Sequence, residues 1–206
     1  VKPAGILSQP DRTGEDSMVT LLKAQLGREV FPVHRLDRAV GGVMLFAMTK
    51  AAAGKLSSLV TSDGFEKEYV AVIHGAPTEE KGELFDYLVH DARRNLTSVA
   101  KPTDKDAKEA RLAYTLLARD MEREFSLVRV RLYTGRTHQI RVHMAFGGHP
   151  LAGDTMYGNF MPEIGHQLLH CRRCFFEHPV TGEKMAFEAD YPDDFGRVLK
   201  KLENAE

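Results

Sequence analysis

Beyond residue 64 the chain repeatedly alternates apolar and polar residues over short runs, and several of these runs are joined by connections only long enough for a hairpin. Such a pattern constrains the chain to an antiparallel sheet, because parallel strands need a crossover of a dozen residues or more. Residues 65–74, 112–118, 125–133, 168–176 and 185–189 read as strands, with Lys67, Tyr69, Ala71 and Ile73 on one face of the first. Residues 120–124 form a candidate hairpin turn, and His178-Pro179-Val180-Thr181-Gly182 forms another. Helices are fewer. Asp16 or Ser17 can cap one whose apolar residues Met18, Leu21, Leu22 and Leu26 recur at helical spacing before Gly27. Thr49 can cap a second, running through Leu56, Leu59 and Val60 to near Gly64, and Thr137 a third, closed by Gly147-Gly148. Residues 42–48 read as a buried strand and residues 93–108 as a long loop. The expectation is an α+β fold with a largely antiparallel sheet, built as one domain over residues 1–206.

With 43% hydrophobic residues the chain can bury a core, and no apolar run approaches the length of a membrane span. There is no secretory pattern at the start, and the opening at Val1 without an initiator Met suggests residues upstream. A soluble, cytoplasmic protein is expected. Cys171 and Cys174 have C-x-x-C spacing, but no second cysteine pair completes a zinc site, and both read as small buried residues. The net charge is −1, yet residues 125–149 hold Arg129, Arg131, Arg136, Arg141 and three histidines with no acidic residue. A neutral protein with one basic face can hold a phosphate backbone.

Two segments place charged residues between apolar runs: Val33-His34-Arg35-Leu36-Asp37-Arg38-Ala39-Val40-Gly41-Gly42 and Thr134-Gly135-Arg136-Thr137-His138-Gln139-Ile140-Arg141-Val142-His143. Taken alone, Asp37 is as well explained by a surface pair with Arg35 or Arg38. An aspartate that acts ionised in a dry pocket needs a fixed cation nearby, and the second segment offers Arg136 and Arg141. A helix capped by Thr137 would set Arg136 at its positive end and bring Arg141 onto the face of Thr137 and His138. His138 and His143, five apart, do not share that face, which excludes a metalloprotease helix.

Lys2-Pro3-Ala4-Gly5, His34-Arg35-Leu36-Asp37, Lys67-Glu68-Tyr69, Gly135 through His143, and Gly148-His149-Pro150-Leu151-Ala152-Gly153-Asp154 follow one another in order, with Leu169-His170 and His178-Pro179-Val180-Thr181-Gly182-Glu183 near the end. Together they resemble the motifs of the RluA-type family of pseudouridine synthases, from Lys2 to about Phe195. The resemblance implies the family's catalytic fold, a mixed, mostly antiparallel sheet with a central cleft flanked by helices and loops. It implies an isomerase that converts a uridine of ribosomal or transfer RNA to pseudouridine, with no cofactor, no metal and no membrane partner, working as a monomer.

The same resemblance assigns roles. Asp37 matches the catalytic carboxylate, Arg141 the arginine paired with it, and Tyr69 the tyrosine that stacks on the target base. Arg35 matches the arginine that fills the space left by the flipped nucleotide. His34, Lys67, Arg136, Thr137, His138, Gln139 and Ile140 are implied on the substrate-binding side. Departures are visible: Val40-Gly41 stands where the family usually has Thr-Ser, and Val1 where it has Asn. The N-terminal RNA-binding domain carried by many relatives is not expected here.

Overall fold

The computed structural model describes residues 1–62, 64–120, 125–158, 161, 164–193 and 195. The chain packs as two compact units, Val1–Lys67 with His170–Asp190, and Glu68–Leu169 with Tyr191–Glu206. The fold is α+β, with strands outnumbering helices as expected. Among the described residues no helix is long and apolar enough to cross a membrane.

In the first unit, α1 (Met18–Leu26) begins at Ser17, whose hydroxyl accepts the Thr20 N–H at 3.2 Å while Thr20 Oγ1 accepts the Ser17 N–H at 2.8 Å. This reciprocal cap satisfies two of the donors that a helix start leaves open. Gly27, at φ 63°, ends it. Helix α2 (Lys50–Thr61) starts at Thr49 and stops at Ser62, two residues short of Gly64. Short strands β1 (Phe31–Pro32) and β3 (Phe46–Ala47) pair antiparallel. Strand β9 (Leu169–Glu177) pairs antiparallel with β10 (Lys184–Glu188) across the turn at residues 178–183, and parallel with β2 (Gly41–Gly42).

The expected strand over residues 42–48 is instead broken after β2, resuming only at β3. Gly42 lies at φ +121°, a conformation that ends straight strand geometry and that side chains rarely adopt. At the break the Leu45 N–H is taken by the His34 ring, Nε2, at 3.2 Å. The apolar residues there, Val43 and Met44, are buried without a ladder of their own.

The second unit is a sheet in the order β4 (Phe65–His74, its first three residues belonging to the first unit), β8 (Phe125–Leu132), β7 (Lys108–Asp120), β5 (Lys81–Asp91), β6 (Leu96–Ala100). β7 runs antiparallel to β8, with Leu112 opposite Leu132, and to β5, with Leu112 opposite Leu84. The turn expected at residues 120–124 lies, from 121 to 124, outside the described residues. The supposed loop over residues 93–108 contains β6, antiparallel to β5. Its polar composition misled because it is an edge strand with one solvated face; the turn before it is built by Asp91, whose carboxylate accepts the N–H groups of Arg93 and Arg94. Val70, Val72, Leu127, Ala152, Leu168 and Phe195 form one core cluster. Leu88, Ala110 and Val142 form another, joining the sheet to helix α3 (Gln139–Phe146).

Gly42 offers a direct check of the first unit. A Cβ there would stand 2.2 Å from the carbonyl oxygen of Cys171. With the φ penalty added, Gly42→Ala is expected to cost about 3 kcal/mol or more. Urea denaturation of the full chain measures it, and an unchanged midpoint would mean that the β2–β9 contact yields easily.

Candidate active site

Asp37 sits in a loop held by a segment distant in sequence. The Val40 N–H donates to the Asp37 carbonyl at 3.0 Å, closing a tight turn. Ser8 grips Leu36 from both sides: its hydroxyl donates to the Leu36 carbonyl at 2.6 Å and accepts the Leu36 N–H at 3.0 Å. The Gly5 N–H donates to the Arg38 carbonyl at 2.9 Å, and the Arg38 side chain returns to the Gly5 carbonyl and to Glu15.

Lys2 is the centre of this strap. It is fully buried, and its ammonium donates to the carbonyls of Pro3 at 2.9 Å, Ile6 at 2.5 Å and Arg38 at 2.9 Å. Burial pulls its pKa down to about 8, against the negative charge of Asp37, which raises it, and with the charge of Arg38, which lowers it further. Val40, which stands where the family usually has a hydroxyl, is buried, 2% exposed.

Around the loop, His34 is buried, with its ring centroid 5.4 Å from that of Phe65. Arg35 is exposed. Lys67 is buried beside Cys171 and Cys174, and burial holds its pKa below the usual range. The two thiols are buried as expected, with sulfurs 3.9 Å apart. The Cys174 thiol is held low by its hydrogen bond with Cys171; burial opposes this, while His34 and Lys67 add to it.

The second unit carries the other candidates. Arg141 is 6% exposed and forms a fork-to-fork pair with Asp154, Nε to Oδ2 at 2.7 Å and Nη2 to Oδ1 at 2.8 Å. Asp154 also accepts the N–H groups of Met156 and Tyr157. Burial pushes the Asp154 carboxyl upward, but the Arg141 hydrogen bonds and charge and the two backbone donors outweigh it, leaving the carboxyl below its ordinary value. The Tyr157 ring centroid is 4.9 Å from the guanidinium carbon of Arg141. Tyr69 lies on β4 and is 5% exposed.

Helix α3 departs from expectation. It begins at Gln139, so Thr137 and His138 precede it and Thr137 does not cap it. The cap position belongs to His138, at φ 55° and with no side-chain capping bond. Gln139 reorganises the approach: its side-chain oxygen accepts the Arg136 N–H at 3.0 Å and the Thr134 hydroxyl at 2.8 Å, and its amide nitrogen donates to the Arg111 carbonyl at 3.1 Å. The Arg136 N–H is therefore engaged by a side chain. The Arg136 side chain is exposed and donates to the Glu109 carbonyl, while Ile140 is buried. Nor do residues 125–149 form one basic face, because strand alternation and helix packing divide them. Arg131 and Arg136 are exposed, whereas Arg141 and His143 are buried.

Residues 1–146 match the family model described as RNA pseudouridylate synthase. The chain belongs to this family. It is 38% identical to the uncharacterized RNA pseudouridine synthase YjbO of Bacillus subtilis, over 82% of this chain and 58% of that protein. It is 33% identical to tRNA pseudouridine synthase C of Vibrio parahaemolyticus, over 98% of this chain and 89% of that one. Against ribosomal large subunit pseudouridine synthase D of Vibrio cholerae the figures are 37%, 82% and 55%. The chain thus spans little more than half the length of two of these relatives. In fold it resembles the structure titled human RNA pseudouridylate synthase domain containing 4, with a TM-score of 0.78 at 23% identity over 98% of this chain and 88% of that one.

Within this RluA-type framework, Lys2 and Asp154 lie inside the recognised motifs, which assign neither a structural task, and Tyr157 lies just beyond them. The available signal was an acid one turn-length before a tyrosine, a pattern for a carboxylate that caps its own following N–H groups. Removing one partner from a buried pair strands the other charge, so Asp154→Asn should cost about 3–5 kcal/mol at neutral pH. Because the folded carboxyl lies below its unfolded value of 3.8, its contribution is present above that pH and is lost as pH falls through the folded value. The stability gap between wild type and variant should therefore narrow steadily as pH is lowered from 7 to below 3.8; a gap that stays constant over that range would disprove the charge pair as the cause.

Proposed function

We propose that this chain isomerises uridine to pseudouridine in ribosomal or transfer RNA, with Asp37 as the catalytic carboxylate. The observation that carries the reading is the immobilised loop: Leu36, Asp37, Arg38 and Val40 each have a backbone group held, largely by residues 2–8. Such fixing suits a group that must meet one atom of a substrate, since orientation can supply a large share of a rate enhancement. The match over most of tRNA pseudouridine synthase C makes transfer RNA the first substrate to test.

In the proposed reaction the N1–C1′ bond breaks, the base turns, and C5 bonds to C1′. The hydrogen leaving C5 is balanced by one gained at N1, so nothing is oxidised or hydrolysed. Asp37 either attacks covalently or assists bond cleavage and the proton shift. Arg141, oriented by Asp154, takes the role of the family's arginine partner to the catalytic carboxylate, and Tyr69 that of the platform for the target base. Arg35, exposed and planar, enters the stack when the uridine leaves, offsetting a cost of a few kcal/mol. Arg131 and Arg136 contribute phosphate contacts. His34, Lys67, Thr137, His138, Gln139 and Ile140 shape the substrate-binding region around them.

Asp37→Asn keeps the shape and removes the charge. It is expected to lower pseudouridine formation by about a thousandfold or more while the fold survives. Release of tritium from RNA labelled at uridine C5 reads this out, and wild-type release by the variant would sink the assignment. RNA binding should also weaken steeply with added salt. A flat salt response would remove the arginines as phosphate contacts. Mapping pseudouridines in total RNA with and without the gene identifies the target uridine.

A further inference from the structure

We propose that Tyr157 is a positioning residue for the reaction, locking Arg141 and His138 into one arrangement; this rests on the reading of Arg141 as part of the catalytic machinery. Four contacts meet on this residue. Its backbone N–H donates at 3.2 Å to Asp154 Oδ1, the same oxygen that accepts from Arg141 Nη2. The guanidinium carbon of Arg141 lies over its ring, 4.9 Å from the centroid. Its hydroxyl oxygen accepts the Thr97 N–H at 2.8 Å and lies 2.9 Å from His138 Nδ1.

The consequence for Arg141 is geometric. A guanidinium is planar, so an edge pair with a carboxylate leaves rotation about that edge as its main freedom. A ring laid on one face removes it. The plane of the guanidinium is then fixed, which is what a cation that acts by its placement requires.

The consequence for His138 concerns strain. At φ 55° it occupies the left-handed region, which costs a non-glycine residue free energy and persists only where the surroundings enforce it. The Tyr157 hydroxyl is one enforcing contact. The His90 ring, edge-on at 6.2 Å and itself bonded through Nδ1 to Thr97 Oγ1 at 3.0 Å, is another. Thr97 thus links both, tying the start of α3 to the edge strand β6.

A phenylalanine would fill the same volume beside Leu88, Ala110 and Val142 without a hydroxyl to satisfy. The use of tyrosine points to its oxygen. Burial raises the Tyr157 pKa, with the Thr97 hydrogen bonds opposing, so the phenol stays protonated and keeps a hydrogen to share.

The test compares Tyr157→Phe and Tyr157→Leu with wild type in single-turnover and steady-state assays on RNA, with imidazole 15N shifts of His138 as the structural readout. Tyr157→Phe retains the ring over Arg141 and should lower kcat by about tenfold, with KM for RNA within about twofold and the His138 shifts displaced. Tyr157→Leu, losing the ring as well, should lower kcat by about a hundredfold. Wild-type kcat in Tyr157→Phe, or a change confined to KM, overturns the proposal. Should Tyr157→Phe fail to fold, the wild-type spectrum decides: one fixed His138 tautomer supports the clamp, and averaged resonances of a freely exchanging ring refute it. Asp37→Asn run alongside separates the two readings. If it is dead while Tyr157→Phe is fully active, only the positioning role falls. If Asp37→Asn is active, the catalytic reading falls and takes this one with it.

Discussion

A lysine ammonium with no exposed surface, ending on three backbone carbonyls, is the interaction on which the arrangement around Asp37 depends. Burying a charge is expensive, and among the described residues no carboxylate sits in bonding contact with it; partial charges on the Pro3, Ile6 and Arg38 oxygens compensate instead. Those carbonyls are drawn inward from two separate segments, so Lys2 specifies how the chain start meets the 36–40 loop. Burial is the main cause that lowers its pKa. Once the carbonyl of Arg38 is fixed, the remaining freedom is removed by Ser8 on Leu36 and by the turn from Val40 to Asp37.

The second unit solves a similar problem with a different device. Arg141 is held by a true carboxylate partner, and Asp154 is in turn held by the N–H groups that follow it. Buried pairs of this kind contribute little net stability compared with an apolar replacement, because desolvation consumes most of the Coulomb gain. Their return lies in direction. A bidentate fork fixes a plane, and an ammonium on three carbonyls fixes a point. The two units thus supply a plane and a point, each set by groups within the same unit.

Much of this was legible in the sequence, and the exceptions share a cause. Ser17, Thr49 and Gly27 were readable because capping is a local matter decided within a few residues. The bounds of β4 and the β9–β10 hairpin were readable because alternation persists over whole strands. Residues 42–48 were misread because hydrophobicity reports burial, and burial there comes without a ladder. Thr137 was misplaced because the Gln139 N–H, which a Thr137 cap would have served, donates to the Arg136 carbonyl, and the helix starts one residue later, after the left-handed His138. In the candidate site, Asp37, Arg141 and the exposed Arg35 stood out as charges set among apolar runs. Asp154 and Tyr157 did not, because their meaning lies in what they touch thirteen or more residues away in sequence.

On the proposed function these observations bear on one chemical demand. Turning a base about while its sugar waits uses no cofactor, so discrimination among competing outcomes, hydrolysis above all, has to come from placement of side chains. A loose carboxylate would admit water to the broken glycosidic bond, whereas one whose loop is held at several consecutive residues keeps a single approach. The Val40-Gly41 replacement is informative here. Hydroxyls at those positions would have been one means of holding the loop, and this chain places a buried Val40 there and relies on Lys2 and Ser8, residues that reach Arg38 and Leu36 from outside the loop. The mechanical requirement is therefore separable from the residues that usually meet it. On the proposed chemistry the constraint is the rigidity of the loop, and in this chain a distant strap of ammonium and hydroxyl supplies contacts that hold it.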